Sequence, residues 1–422
     1  MSPEWWEDAV IDRSRKDTQI KRIKEGFEQR DPSITLENYP PGSDDADAVY
    51  LYHPERLLLR DDDADRVRVG LDIPEDQFND RDDLPAKITG LTVIKVPPGR
   101  SADQMVNDAR ERFGDGVVTH DRLVHITSSS ACPATEPTLP AAPVPDPPVN
   151  TWADAGAGVR VAVVDTGWIQ AVGDEHPWLA NVHGQPEPPS TGHYRGHGSF
   201  VAGVVRAMAP AADVQVYAIL TTMGAVLESD MAPSLVDALT WDPHLITMSA
   251  GTTTPIAAPL LSFQAFHDDH LSRTQALFLC AAGNDGGPGP FEPASQRWPV
   301  AVGALEAVGT FIAPWSNRGG WVDVYARGAD VVNAYPKEVY HYIESGEGQV
   351  DFSEHGMASW SGTSFSTPLV AGLVAARMSW THEKGPQAWA SLARLAWARA
   401  GAGIWVLGPG DGDPGVQPPP AP

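Results

Sequence analysis

The sequence predicts an α/β fold: a doubly wound, mainly parallel sheet with helices on both faces, preceded by a small α+β domain. Three observations carry this expectation. Short apolar runs, such as residues 159–164 and 245–248, read as buried strands. They alternate with segments whose apolar residues recur at helical spacing, as Phe200, Val201, Val204, Val205 and Met208 do. A proline-rich stretch separates this alternating region from an N-terminal part with strand and helix signals of its own.

Taken in order, residues 1–130 form the N-terminal α+β region. Strands are expected at 49–52 and 57–59, a short helix at 61–71 and a strand at 91–96. Ser101 and Gln104 have capping-box spacing, Gly114 closes the helix they begin, and 123–126 is another strand. Residues 131–150 contain Pro133, Pro137, Pro140, Pro143, Pro145, Pro147 and Pro148, a composition that favours extended, poorly packed chain and reads as a linker. Residues 151–407 hold the alternating region. Its strands are expected at 159–164, 214–220, 245–248, 276–281, 299–305 and 322–325. Its helices are expected at 199–208, 230–239, 260–275, 367–379 and 387–400. Residues 408–422, rich in glycine and proline, read as a disordered tail.

A length of 422 residues with 42% hydrophobic content suits one large packed domain and a smaller one. The formal net charge of −25 argues against nucleic acid or an anionic membrane as partner, since both require a surplus of Lys and Arg. The two cysteines, Cys132 and Cys280, are expected to be free thiols, Cys280 a small buried hydrophobe. The charged N-terminus lacks the apolar stretch of a secretory signal, and no segment approaches the roughly 20 apolar residues of a membrane span, so a cytoplasmic location is expected. The acidic clusters at 61–63 and 80–83 lack calcium-loop spacing. No metal and no cofactor are expected.

Three short segments carry chemistry. Asp165, in Val-Asp-Thr-Gly, ends the first strand of the large domain, where open α/β folds place functional groups. His197, in Gly-His-Gly, opens the next helix, with Gly196 and Gly198 permitting close approach of backbone and substrate. Ser364, in Ser-Gly-Thr-Ser-Phe-Ser-Thr-Pro, lies at the mouth of an apolar helix whose first turn tolerates Pro368. An acid, a base and a nucleophile are the parts of acyl transfer, because a serine hydroxyl is inert near neutrality until an imidazole takes its proton. Singly, each has a plainer reading: Asp165 as a turn cap, His197 as a residue between turn glycines, Asn284 as a tolerated turn residue. Ser361 and Ser366 are rival nucleophiles expected to face away, and His193 is the nearest rival base.

The order acid, base, nucleophile is that of the subtilisin solution to this geometry. Over about 159–378 the chain resembles the subtilisin-like serine peptidase family. The resemblance implies a serine endopeptidase that hydrolyses peptide bonds. In that reading Asp165 orients His197, His197 serves as base toward Ser364 and then as acid, and Asn284 donates to the oxyanion beside the Ser364 amide. It also implies that Ser249, Ala250 and Gly251 pair with an extended peptide or protein substrate. Ala281, Ala282 and Gly283 would form the facing wall of the S1 pocket, and Asp285 at its border would favour a basic or polar P1 side chain. Ser199 and Phe200 depart from the usual Thr-His after the base. A calcium loop is not expected after the base-bearing helix, because 208–213 passes directly into the next strand.

Two other readings remain. A catalytically silent binding module on a peptidase fold is opposed by the intact quartet, and a sedolisin-like acid peptidase by Gly196-His197-Gly198. The region before the linker resembles the propeptide domains that precede many such enzymes, and it reads equally as an unrelated accessory domain. As a propeptide it is expected to dock on the peptidase domain and to be cut between about 126 and 150. A dedicated maturation or regulatory protease is the role that follows.

Overall fold

A computed structural model describes residues 13–32, 34–78, 87–126, 136–141, 147, 149–188, 192–221, 223–254, 259–343, 348–400 and 405–406. Cys132, the acidic cluster at 80–83 and the 408–422 tail lie outside the described residues. The large domain is built on an eight-stranded sheet in the order Trp405–Val406, Val324–Arg327, Val300–Leu305, Leu277–Ala281, Leu245–Met248, Arg160–Asp165, Asp213–Ala218, Val182–Gly184. Every neighbouring pair is parallel. Val161, Ala162, Val163 and Val164 are wholly buried, as expected of a strand covered on both faces. From Arg160–Asp165 the chain goes to the edge strand Val182–Gly184, returns to Asp213–Ala218 beside it, and then crosses to Leu245–Met248 on the other side, so Asp165 ends at the switch point where doubly wound sheets open a crevice.

Helices His197–Met208 and Thr363–Thr381 pack against each other beside this sheet. Gly372 permits the contact: a Cβ there would fall 2.5 Å from the Met208 Cβ and 2.8 Å from the Val205 carbonyl oxygen. Three expectations change. The helix expected at 367–379 begins four residues earlier, at Thr363, so Pro368 lies in its interior rather than its first turn. The helix expected at 260–275 ends at Asp269, because His270 leaves helical dihedrals (φ −127°, ψ −66°) before a single 3₁₀ turn, Leu271–Arg273. The strands expected at 49–52 and 57–59 are one, Tyr50–Arg60, bulged between His53 and Leu57, where Pro54 cannot donate to a ladder.

That strand organises the N-terminal region. Glu37–Tyr39, Leu91–Lys95 and Val118–His125 all pair with it antiparallel. Helix Ala102–Phe113 buries Met105 and Ala109 against Leu57, Leu59 and Ile94. Ser101 occupies its N-cap without the side-chain hydrogen bond of a capping box. A helix not anticipated from the sequence, Arg13–Arg30, sets Ile20, Ile23 and Phe27 against Leu51, Leu123, Ala225 and Leu227.

The N-terminal sheet runs on into the large domain. Leu123, Val124 and His125 pair antiparallel with Leu227, Val226 and Ala225. The Ile126 N–H donates to Gly224 O at 2.8 Å, and His125 exchanges both backbone hydrogen bonds with Gly251, at 2.9 and 3.0 Å. Side chains reinforce this junction. Ser229 donates to Asp121 from its backbone (3.1 Å) and its hydroxyl (2.6 Å), and Ser262 Oγ donates to Glu228 (2.7 Å). In the proline-rich stretch, Thr138 exchanges backbone hydrogen bonds with Ser359 at 3.0 and 2.8 Å, and Glu136 accepts from the Tyr340 hydroxyl at 3.0 Å. Those residues, expected to be poorly packed, are held to the large domain by these bonds. Among the described residues no helix is long and apolar enough to cross a membrane.

Candidate active site

Asp165 is fully buried where its strand ends, and its Oδ1 accepts the following amide, Thr166 N, at 2.8 Å. The His197 Nδ1 donates to the same carboxylate, 2.8 Å from Oδ1 and 2.9 Å from Oδ2. A carboxylate only accepts, so it fixes the proton on Nδ1 and leaves Nε2 as the basic nitrogen. The two turns meet closely because Gly198 has no side chain: a Cβ there would lie 2.4 Å from Gly167 O. The Gly198 N–H donates to Thr166 Oγ1 at 3.1 Å. Aromatic rings surround the imidazole, with Trp360 edge-on at 5.2 Å, Phe365 at 5.4 Å and Tyr194 edge-on at 5.7 Å. Phe200, one of the two departures after the base, packs into this group against Trp360 and Phe365. Ser199, the other, accepts the Ile169 amide at 3.0 Å.

Ser364 occupies the first turn of its helix, where backbone amides have no intrahelical acceptor. Its hydroxyl is buried and makes no hydrogen bond among the described residues. The rivals are engaged elsewhere. Ser366 Oγ donates to Thr363 O at 3.0 Å, and Ser361 Oγ accepts from the Asp330 amide at 2.9 Å. Pro368, inside the helix, removes the amide that would have bonded the Ser364 carbonyl. Ser249 Oγ supplies the missing donor at 3.1 Å. The helix therefore keeps its proline, and the segment at 249–251 is tied to Ser364.

Asn284 is buried, and its Oδ1 accepts both the Thr363 amide and the Thr363 hydroxyl, each at 2.9 Å. A backbone N–H facing the oxygen fixes the orientation of the side-chain amide, so Nδ2 points the other way as a donor. The Thr363 hydroxyl in turn accepts Gly283 N–H at 3.2 Å. Ala281 ends a strand, Ala282 O accepts from Asn317 Nδ2 at 2.9 Å, and Gly283 has φ +92°, with Asn317 Nδ2 only 2.6 Å from any Cβ placed there. Asp285 is bound to the same Asn317, which donates to its Oδ2 at 3.3 Å. Ala250 is buried, and Gly251 is paired with His125 of the chain itself.

Sequence reasoning missed Thr363, Asn317, the Ser249 hydroxyl and the Trp360 edge. Thr363 alone had a signal, its place within Gly-Thr-Ser. Cys280 is buried in the central sheet, and burial raises its thiol pKa well above the ordinary value, the state of an inert thiol. Among the described residues no three His, Cys, Asp or Glu side chains converge as metal ligands. Asp61, in one acidic cluster, instead accepts from Gly90 N and Thr92 Oγ1 at 2.8 and 2.7 Å.

A model of the subtilase family (Peptidase_S8) matches residues 156–400. The chain belongs to the subtilase family. This subtilase is 31% identical over 233 residues to Subtilisin Savinase of Lederbergia lenta, covering 52% of this chain and 76% of that protein. It is also 31% identical over 233 residues to M-protease of Shouchella clausii (strain KSM-K16), covering 52% of this chain. The match spans 54% of M-protease, about half its length. A solved structure described as a cold adapted subtilisin-like serine proteinase is 20% identical and covers 60% of this subtilase and 89% of that chain, with a TM-score of 0.46.

Proposed function

We propose that this subtilase is a serine endopeptidase in which His197, oriented by Asp165, deprotonates Ser364 for attack on a peptide carbonyl. The tetrahedral oxyanion then receives hydrogen bonds from the Ser364 amide and Asn284 Nδ2, and His197 passes the proton to the leaving amine. One observation carries the reading. The imidazole of the buried Asp165–His197 pair lies 5.4 Å from the ring of Phe365, the residue after Ser364, and the Ser364 hydroxyl is buried and bonded to no described group. The base is a histidine, which favours this reading over an acid peptidase built on a glutamate.

A fluorophosphonate probe tests it. The native protein is expected to be labelled and Ser364→Ala to be unlabelled, with peptide hydrolysis lower by roughly 10⁴–10⁶ in turnover. A labelled Ser364→Ala protein overturns the assignment. A basic or polar P1 preference from Asp285 is lost if a peptide library shows only large apolar P1 residues cleaved.

The N-terminal region serves, in the same reading, as a propeptide whose last strand lies in the substrate cleft. Support comes from 123–126, flanked by 224–227 on one side and by Gly251 on the other, the arrangement of an extended peptide adding a strand to an edge. Val124 and Ile126 bury their side chains in the core of the large domain. The antiparallel register sets His125 opposite Gly251, with Ile126 on the side of Ser249, whose hydroxyl bonds the Ser364 carbonyl. Mass spectrometry of purified wild type should find a cut soon after Ile126 and no cut in Ser364→Ala. Full activity from the intact chain would make residues 1–130 a permanent accessory domain. A dedicated maturation or regulatory role fits a cleft occupied by the chain's own strand, and the expected location is cytoplasmic.

A further inference from the structure

One buried acid beside the Asp165–His197 pair has no part in the chemistry above. The Glu187 carboxyl is wholly buried and accepts the Gly196 N–H with both oxygens, at 3.0 and 3.1 Å. The Arg195 guanidinium comes within 3.8 Å of it and is itself held by Glu338 through bonds of 3.0 and 3.3 Å. The Glu187 main chain belongs to the other side of the site. Its N–H donates to Trp168 O at 3.0 Å, and the Trp168 N–H donates to Gln185 O at 2.8 Å. Gly167 packs so tightly on it that a Cβ would fall 2.7 Å from the Glu187 Cα.

Glu187 thus has its backbone on the turn that leaves Asp165 and its carboxyl on the turn that enters His197. Gly196 caps the His197 helix in the left-handed region (φ +78°) and has no side chain to anchor it. A cap amide has no intrahelical acceptor, so a buried one needs a side chain. We propose that Glu187 is a positioning residue that clamps these two turns together and so sets the separation and orientation of Asp165 and His197. It touches neither substrate nor reacting atoms. Misplacing a catalytic group by about 1 Å costs on the order of a hundredfold in rate. Loss of the clamp should therefore appear in kcat and not in KM. This inference rests on the serine-endopeptidase reading.

The charged and titratable groups facing Glu187 are Arg195, Asp165, Glu338 and Tyr335, with His197 reached through Asp165. Burial pushes its carboxyl up to about 8, against the Gly196 amide and Arg195, which favour ionisation. A glutamine is therefore a faithful stand-in near neutrality. It ceases to be one when Glu187 ionises, because the carboxylate holds the Gly196 amide more strongly and adds negative charge beside the forming imidazolium.

The test uses the full chain, with rates expressed per mole of fluorophosphonate-labelled Ser364. Glu187→Ala is expected to lower kcat by about ten- to a hundredfold with KM within about twofold, while Glu187→Gln keeps most of kcat near neutrality. The wild-type to Gln ratio of kcat/KM is then expected to rise severalfold as the pH passes about 8. Unchanged kcat in Glu187→Ala, or Gln as impaired as Ala near neutrality, overturns the clamp. If Glu187→Ala does not fold, a wild-type to Gln ratio flat with pH overturns it alone. Labelled, active wild type with unmoved variants removes this inference only; wild type that is neither labelled nor active removes the endopeptidase reading and the clamp with it.

Discussion

At the scale of single residues, the proposed oxyanion donor depends on a neighbour that does no chemistry. Asn284 presents Nδ2 because Thr363 occupies its oxygen with two donors, and Thr363 is the residue immediately before Ser364. Thr363 thus links Asn284 to the residue that carries the Ser364 amide, and in the proposed mechanism neither donor has to reorganise as charge develops on the substrate oxygen. Asn284→Leu removes the donor at similar volume. Its kcat should fall by about 10²–10³ with little change in KM. Thr363→Val keeps the backbone donor and loses the hydroxyl, so its kcat should lie between that of Asn284→Leu and wild type. Rates normalised to labelled Ser364 check both; an Asn284→Leu enzyme with native kcat would remove Asn284 from the mechanism.

At the scale of elements, the site is a junction of strand ends and two helix starts, and the helix pair sets its dimensions. Gly372 lies where Thr363–Thr381 crosses His197–Met208, facing the Met208 Cβ and the Val205 carbonyl. Gly372→Ala forces a backbone atom to move, and overpacking of this kind costs about 1–3 kcal/mol. A lowered denaturant midpoint, with activity lost at temperatures where wild type persists, is the expected result; an unchanged midpoint would show that the crossing has slack. The strands of this sheet were legible because burial on both faces leaves nearly continuous apolar runs, as at Leu245–Met248. The start of the Ser364 helix was not, because 363–368 reads Thr-Ser-Phe-Ser-Thr-Pro, weak helix formers ending in a breaker. Tertiary partners override that local preference: Asn284 accepts the first amide, and Ser249 serves the carbonyl that Pro368 orphans. Helix Arg13–Arg30 was missed because its apolar stripe is only Ile20, Ile23 and Phe27 amid charged residues. The strand at 123–126 was recognised, but its place in the cleft was not, since pairing with Gly224 and Gly251 leaves no local pattern. Asp165, His197, Ser364 and Asn284 were legible through their motifs; Glu187 has none, because its role comes from a turn folding back on another turn.

At the scale of the whole molecule, the union of the N-terminal sheet with the large domain is governed by buried groups that respond to pH in opposite senses. Burial, aided by nearby Arg and Lys, pushes His53 down to about 4 and His120 and His125 down to about 3 from 6.5. Such histidines contribute stability above their ordinary value, lost as the pH falls through the folded values. Burial pushes Asp121 up to about 6 from 3.8 and Glu228 up to about 8 from 4.5, despite their hydrogen bonds. Raised acids act the other way: their contribution is complete below the ordinary values and is lost as the pH rises through the folded ones. Each unbalanced proton is worth about 1.4 kcal/mol per pH unit. Above pH 6.5 the histidines are neutral in both states, Asp121 is largely ionised in both, and Glu228 erodes stability until the pH passes about 8. Below pH 4.5 the histidines dominate with the steeper slope, and between these limits the three histidines outweigh the two acids by about one proton, so stability still rises with pH. Amide exchange of Val118–His125 in full-length Ser364→Ala, corrected for intrinsic rates, should show greatest protection near pH 6.5, with a steep acid limb and a shallow alkaline one. Asp121→Asn with Glu228→Gln should flatten the alkaline limb and leave the acid limb in place. An alkaline limb unchanged in that double variant would mean that these carboxyls do not control the junction.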